Sequence, residues 1–262
     1  MPAVLYEKKG YIAYITLNRP EAFNAINAEA WKGLTQAWID VRDDPEVRVA
    51  IVTGTGDKAF SSGADLKEIG KYMMTPENQR PPLNTLIPDI TPMRGLEVWK
   101  PFIAAINGIA TGGGLELAMA CDMRIASENA MLGLMEVKQS LVPNMSGTQR
   151  LPRLVPMGIA MEMLLTGDSI SAQEAYRIGL VNKVVPRAEL MAAAESLANR
   201  IAENGPLAVK AIKEVVYRGI QMNLSDGIRV EEYFSKPLLG TEDAKEGPMA
   251  FAQKRKPVYK GK

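Results

Sequence analysis

The stretch NGIATGGGLE (107–116) ends in a carboxylate, Glu116, and from Pro101 through Cys121 no other side chain is charged. A second carboxylate, Glu136, stands in LGLMEVKQSLVPNMSGTQRL (132–151), after an apolar run and before a proline and a turn. Two glutamates in partly apolar surroundings can be driven to different pKa values, so that one acts as base and the other as acid. Gly112, Gly113 and Gly114 fall between a strand pattern and a helix pattern. Glycines there let the backbone approach a ligand and present free amides at the positive end of the helix. Such amides can stabilise an oxyanion. Helical spacing puts Gly113 and Glu116 on one face. A carboxylate pair beside an amide hole suits proton transfer next to a carbonyl. Each residue also has a plainer reading. Glu116 can simply surface beside tight helix–strand packing, and Glu136 can be a first-turn glutamate favoured by a helix dipole.

The composition removes several other chemistries. The chain has no histidine and one cysteine, Cys121. That rules out a Ser-His-Asp triad, a histidine zinc site and a Cys-His dyad. Proton transfer must rest on carboxylates, Lys, Tyr, Cys or held water. A single cysteine forms no intrachain disulfide, which suits a reducing compartment. The net charge of +1 gives no global sign of nucleic-acid binding. The start lacks a basic region followed by an apolar one, so no signal peptide is expected. The nearest approach to a membrane span, 101–121, is interrupted by Asn107 and glycines. A cytoplasmic protein is therefore expected. Gly54-Thr55-Gly56-Asp57-Lys58-Ala59 fits a loose dinucleotide pattern, but it runs on into AFSSGAD, which is turn material rather than a helix.

The elements that must position these residues alternate between two periods. Strand patterns cover 11–18, 47–54, 102–109, 123–127 and 179–185. Helix patterns cover 27–42, 65–74, 113–120, 146–165, 171–178, 187–203, 206–221, 224–239 and 242–253. Ser146 with Gln149, and Ser171 with Glu174, read as capping boxes. Alternation over the first 185 or so residues argues an α/β fold. From about residue 187 the pattern is helical only, a packing layer or an oligomerisation arm. The irregular, proline-rich segment 70–100 reads as a mobile loop or broken helix, of the kind that forms lids, pocket walls or surface insertions.

Taken together, FSSGADLKEI (60–69), AAINGIATGGGLELAMACD (104–122), MEVKQSLVPNMSGTQRL (135–151) and LLTGDSISAQEAYRIGLVNKVV (164–185) resemble the enoyl-CoA hydratase/isomerase, or crotonase, superfamily. NRPEAFNAI (18–26) and EGPMAFAQKRKPVYKGK (246–262) match its two ends. The resemblance implies a crotonase (ClpP-like) spiral of ββα units over 1–200 and a C-terminal helical region for trimerisation over 201–262. It implies homotrimers or dimers of trimers, an acyl-CoA thioester substrate, and no metal or redox cofactor. It implies an oxyanion hole from the backbone N–H groups of Ala64 and Gly113. Glu116 would help activate the water that attacks C3 of a trans-2-enoyl thioester, as in fatty-acid β-oxidation, and Glu136 would deliver the proton to C2. Isomerases of the superfamily usually lack the glutamate after GGG, so Glu116 favours hydration or dehydration.

The resemblance places CoA contacts at Ala22, Phe23, Ser62, Asp65, Leu66 and Lys67, with Phe251 and Lys254 reaching the CoA of a neighbouring subunit. The basic tail from Lys254 onward is either solvated or attracted to phosphate. Two positions depart from the family pattern. Glu21 stands where a basic residue is common, and Asn144-Met145-Ser146 replaces a small glycine-rich turn, which implies an altered acyl pocket. The C-terminus is also similar to that of carnitinyl-CoA dehydratases. A carnitinyl-CoA-type dehydratase, another specialised acyl-CoA lyase and a non-catalytic acyl-CoA-binding subunit are the alternatives.

Overall fold

The computed structural model describes residues 1–262. An antiparallel hairpin of β1 (Val4–Lys9) and β2 (Ile12–Leu17) leads into α1 (Ala28–Asp43). Three strand pairs then follow, each trailed by helix. They are β3 (Val49–Gly54), β4 (Ala59–Ser61) and α2 (Leu66–Met74); β5 (Phe102–Ile106), β6 (Ile109–Thr111) and α3 (Gly113–Ala120); and β7 (Met123–Ser127) and β8 (Met131–Gly133), with α4 (Gly147–Leu154) and α5 (Met157–Thr166). The chain continues through β9 (Ile170–Ser171), α6 (Ala172–Arg177), β10 (Lys183–Val185) and α7 (Leu190–Ala202). It ends in α8 (Pro206–Gly219), α9 (Leu224–Leu238) and α10 (Glu242–Ala252). The longer strand of each pair joins a six-stranded sheet in the order β1-β2-β3-β5-β7-β10, parallel from β2 onward. The shorter strand joins a second sheet, β4-β6-β8-β9. This is a stack of ββα units with no closed barrel.

Residue alternation explains why the first sheet is covered on both faces. In β3 and β5, Ala50, Val52, Phe102, Ala104 and Ile106 belong to the main core, with Trp31, Leu34 and Trp38 of α1. Their neighbours Val49, Ile51, Ile103 and Ala105 face the other way, onto Leu190, Ala194, Ala198 and Ala202 of α7. A parallel sheet buried on both sides needs apolar residues at nearly every position, and FIAAI supplies them. The rings of Trp38 and Phe102 stack 4.4 Å apart and clamp α1 to the sheet.

Several expectations are corrected or sharpened. The helix expected over 146–165 breaks at Val155 and Pro156, because proline cannot continue the hydrogen-bond ladder. Ser146 is no capping box: it has φ 81° and its side chain caps nothing. Ser171 does cap, its hydroxyl accepting from Glu174 N at 3.2 Å. The backbone of the basic tail is pinned, while the side chains of Lys254, Arg255, Lys256, Lys260 and Lys262 stay exposed. Asp243 Oδ1 accepts from Lys260 N at 2.7 Å and Oδ2 from Gly261 N at 2.8 Å, while Arg48 donates to Tyr259 O at 2.7 Å. Within 70–100, Thr91, Met93 and Val98 are buried, so the second half of that segment is core wall and not a free loop. No helix is long and apolar enough to cross a membrane.

Truncating a large buried aromatic leaves a cavity that the close-packed sheet cannot fill, so Trp38→Ala should cost roughly 3–5 kcal/mol. Equilibrium denaturation in urea checks this; a cost below 1 kcal/mol would show that α1 is not clamped through this ring.

Candidate active site

α3 is apolar all round, and every residue from Gly113 to Met119 is buried. Glu116 is 2% exposed, so it does not surface. Its Oε1 accepts from two backbone amides, Met145 N at 2.9 Å and Gly147 N at 2.7 Å. Its Oε2 has no protein donor. Burial pushes the Glu116 pKa up to about 7, the two amides oppose that rise, Glu136 adds to it and Arg150 opposes it. Glu136 opens a single 3-10 turn (Glu136–Gln139), which makes it a first-turn residue as well as a half-buried one. Its Oε2 is buried with no partner. Burial raises its pKa too.

A close backbone crossing brings the amides together. Gly63 has φ +89°, a conformation L side chains rarely adopt, and a Cβ there would lie 2.7 Å from Gly113 N. The segment after β4 therefore rests directly on the N-terminus of α3. The Cβ position of Gly113 lies 3.5 Å from Ala64 N, and that of Gly112 lies 3.3 Å from Glu136 Oε1. Neither Ala64 N nor Gly113 N has a protein acceptor: the bridge between Ile26 and Ala64 uses Gly63 O and Asp65 N, and Gly113 opens its helix. Two free amides, the buried Glu116 and the half-buried Glu136 thus share one neighbourhood. That arrangement can hold an oxygen gaining negative charge and move a proton beside it.

The expected CoA-contact residues divide into two groups. Ala22, Phe23, Ser62, Asp65, Leu66 and Lys67 form one rim, because Ser62 N donates to Phe23 O at 3.0 Å and Asp65 N to Ile26 O at 3.1 Å. Asp65 has a structural task there: it pairs with Arg19 at 2.9 Å and caps α2 through Lys67 N. Burial alone would raise its pKa, but Arg19 and the Lys67 and Glu68 amides bring it below the ordinary value. Leu66 and Lys67 also border an open groove of about 700 Å³ along α2, with Lys71, Met74 and Gln79. Phe251 and Lys254 lie elsewhere, on α10 and its end, with Phe251 86% exposed. No hydrogen bond of that end joins it to the site.

The 144–146 segment is not a simple pocket wall. Asn144 is exposed, but Met145 is 2% exposed and belongs to the main core, its sulfur 4.0 Å from Thr91 Oγ1. The amide clamp on Glu116 escaped sequence reasoning; Gly147, at the start of a helix pattern, was the one signal for it.

The enoyl-CoA hydratase/isomerase family model matches residues 7–262. The chain belongs to that family. An (E)-benzylidenesuccinyl-CoA hydratase of Thauera aromatica is 46% identical over the full length of both chains. A short-chain-enoyl-CoA hydratase of Clostridium acetobutylicum is 44% identical over 97% of this chain and 95% of that one. A carnitinyl-CoA dehydratase of Salmonella typhi is 43% identical over 97% of each. The crystal structure of an enoyl-CoA hydratase from Bacillus anthracis superposes with a TM-score of 0.92, at 41% identity, over 99% of this chain and 100% of that one. The family's mixed α/β fold with C-terminal helices is the fold described above.

Folding raises the Glu116 pKa from 4.5 to about 7. The folded chain therefore holds more protons than the unfolded one across that window, and stability falls as pH rises through it. Gln at 116 keeps an oxygen for the two amides and removes the buried charge. Glu116→Gln should therefore gain stability over the parent by up to about 3 kcal/mol at pH 8 and by much less at pH 5. Thermal melts at the two pH values check this; a difference that does not grow with pH refutes it.

Proposed function

We propose that the chain is a hydro-lyase that adds water across the double bond of a 2-enoyl-CoA thioester, or removes it in reverse. The observation that carries this reading is the meeting of two unpartnered amides, Ala64 N and Gly113 N, with Glu116 and Glu136. The thioester oxygen sits between the two amides. As the oxygen of water bonds to C3, the π electrons shift through C2 toward the thioester oxygen, and the amides stabilise the enolate-like charge. Glu116 takes the proton of the attacking water, and Glu136 delivers a proton to C2. The enolate collapses to a 3-hydroxyacyl thioester. Burial raises the pKa of both carboxyls, that of Glu116 to about 7, where a group can give or take a proton at neutral pH. Two carboxyls and two amides supply all the proton and charge chemistry, so the reading requires no metal or redox group.

Three relatives named for different acyl groups lie within a few per cent of one another in identity. Identity therefore favours no one acyl chain. A specialised acyl group is the second reading, favoured by the relative whose substrate carries an aromatic ring and a carboxylate, and by exposed Asn144 at the site's edge. On the same reading, the rim at Ala22, Phe23, Ser62, Leu66 and Lys67 receives the CoA. Copies meet through α8–α10, whose Ile212, Ile220, Leu224, Tyr233 and Leu239 are all more than 60% exposed in one chain. There Phe251 and Lys254 reach a neighbour's CoA.

Glu116→Gln and Glu136→Gln should each lower turnover of crotonyl-CoA, or of the best thioester in a panel including aromatic and dicarboxylic acyl groups, by about 10²–10⁴ while circular dichroism is unchanged. Near-parental rates in either variant would sink the reading. Tight thioester binding with no hydration of any panel member would instead favour a binding subunit. Light scattering should give a mass of a trimer or its multiple rather than 28.6 kDa.

A further inference from the structure

Ser146 sits in the left-handed region, at φ 81° and ψ 5°. A non-glycine residue held there is strained unless its surroundings impose the conformation. What imposes it is visible. Ser146 Oγ accepts from Arg150 Nε at 2.8 Å, and Ser146 O accepts from Arg150 N at 2.7 Å and Gln149 N at 3.0 Å. Arg150 Nη2 reaches Met93 O at 3.4 Å, so the guanidinium also ties the turn to the buried end of the 70–100 segment. Arg150 forms no ion pair with any carboxylate, although it is only half exposed.

The two residues flanking Ser146 supply the amides that hold Glu116 Oε1. The direction of Gly147 N follows from the Ser146 backbone angles: were Ser146 to relax into an ordinary helical or extended conformation, that N–H would swing away. Converging amides around a left-handed residue make a concavity for one anionic oxygen. With Oε1 fixed, Oε2 is the atom left to handle a proton. The charged groups that Glu116 feels are Glu136, which opposes its ionisation, and Arg150, which favours it.

We propose that Ser146 and Arg150 are positioning residues for Glu116: Arg150 latches the left-handed Ser146 so that the 145–147 turn holds Oε1 and presents Oε2 to the reacting water. The last step rests on the hydration reading; the latch does not. A different residue at 146, or a neutral one at 150, loosens the carboxylate without touching substrate.

The test uses the full chain with Arg150→Gln, Arg150→Lys, Ser146→Ala and Ser146→Gly. The Glu116 carboxyl is titrated by infrared difference spectroscopy against Glu116→Gln, and kcat and KM are measured with the best thioester of the panel. Arg150→Gln should move the Glu116 midpoint up by about one pH unit and lower kcat about 10- to 100-fold, with KM changed less than about threefold. Arg150→Lys should fall between it and the parent, and Ser146→Ala should move the midpoint the same way. Ser146→Gly relieves the strain, so it keeps the fold while loosening the turn, and carries the test should Arg150→Gln not fold. An unmoved midpoint in folded variants overturns the latch, whatever happens to kcat. A moved midpoint with unchanged kcat leaves the latch standing and overturns the role of Glu116 in hydration.

Discussion

Everything at the site depends on how closely one piece of backbone rides over another. Where the chain leaves β4, Gly63 lies against Gly112 and Gly113 with no room for a methyl group between them. That contact turns two sequence-distant amides into neighbours and opens α3 with its dipole pointing at them. The parallel pairing of β4 with β6 brings the segment after β4 to the start of the helix after β6, where the crossing occurs. The main sheet, stiffened on both faces by α1 and α7, is the frame that keeps the crossing rigid.

The carboxylate chemistry rests on a balance of opposed effects. Removing Glu116 from water disfavours its charge, while two amides and a guanidinium favour it. The net result is a group that ionises near neutrality, where a proton can pass in either direction. The stability lost by ionising a buried carboxylate is the counterpart of that function. The Glu136 pKa is raised more simply, by burial, and one of its oxygens is satisfied by nothing in the chain.

Much of this was legible beforehand, and the parts that were not share a cause. All five strand patterns lie in the six-stranded sheet, because strands buried on both faces read as continuous apolar runs. The strands of the second sheet have two or three residues each and sit among turn residues, too short for any period to register. The charged hairpin strand VLYEKK was missed because one edge strand exposes most of its side chains. Glu116, Glu136 and Gly113 stood out by type and spacing and Ala64 only through the family resemblance, and the four lie in one neighbourhood. The clamp from Met145 and Gly147 was not foreseen, since backbone donors carry no residue signature. The wall expected at 144–146 turned out to be a turn with its central methionine facing the core.

Arg48 offers a different lesson. It precedes β3, yet its guanidinium bonds Ala202 O and Tyr259 O, the latter 211 residues away. It also stacks on Tyr11 at 3.9 Å. A strand laid down early is thus stitched to the far end of the chain. Contacts spanning so much sequence close large loops and come late in folding. The pairing of the six-stranded sheet needs no residue beyond Val185, whereas the Arg48 stitch needs Tyr259. In this chain the order of synthesis and the order of tightening run in the same direction.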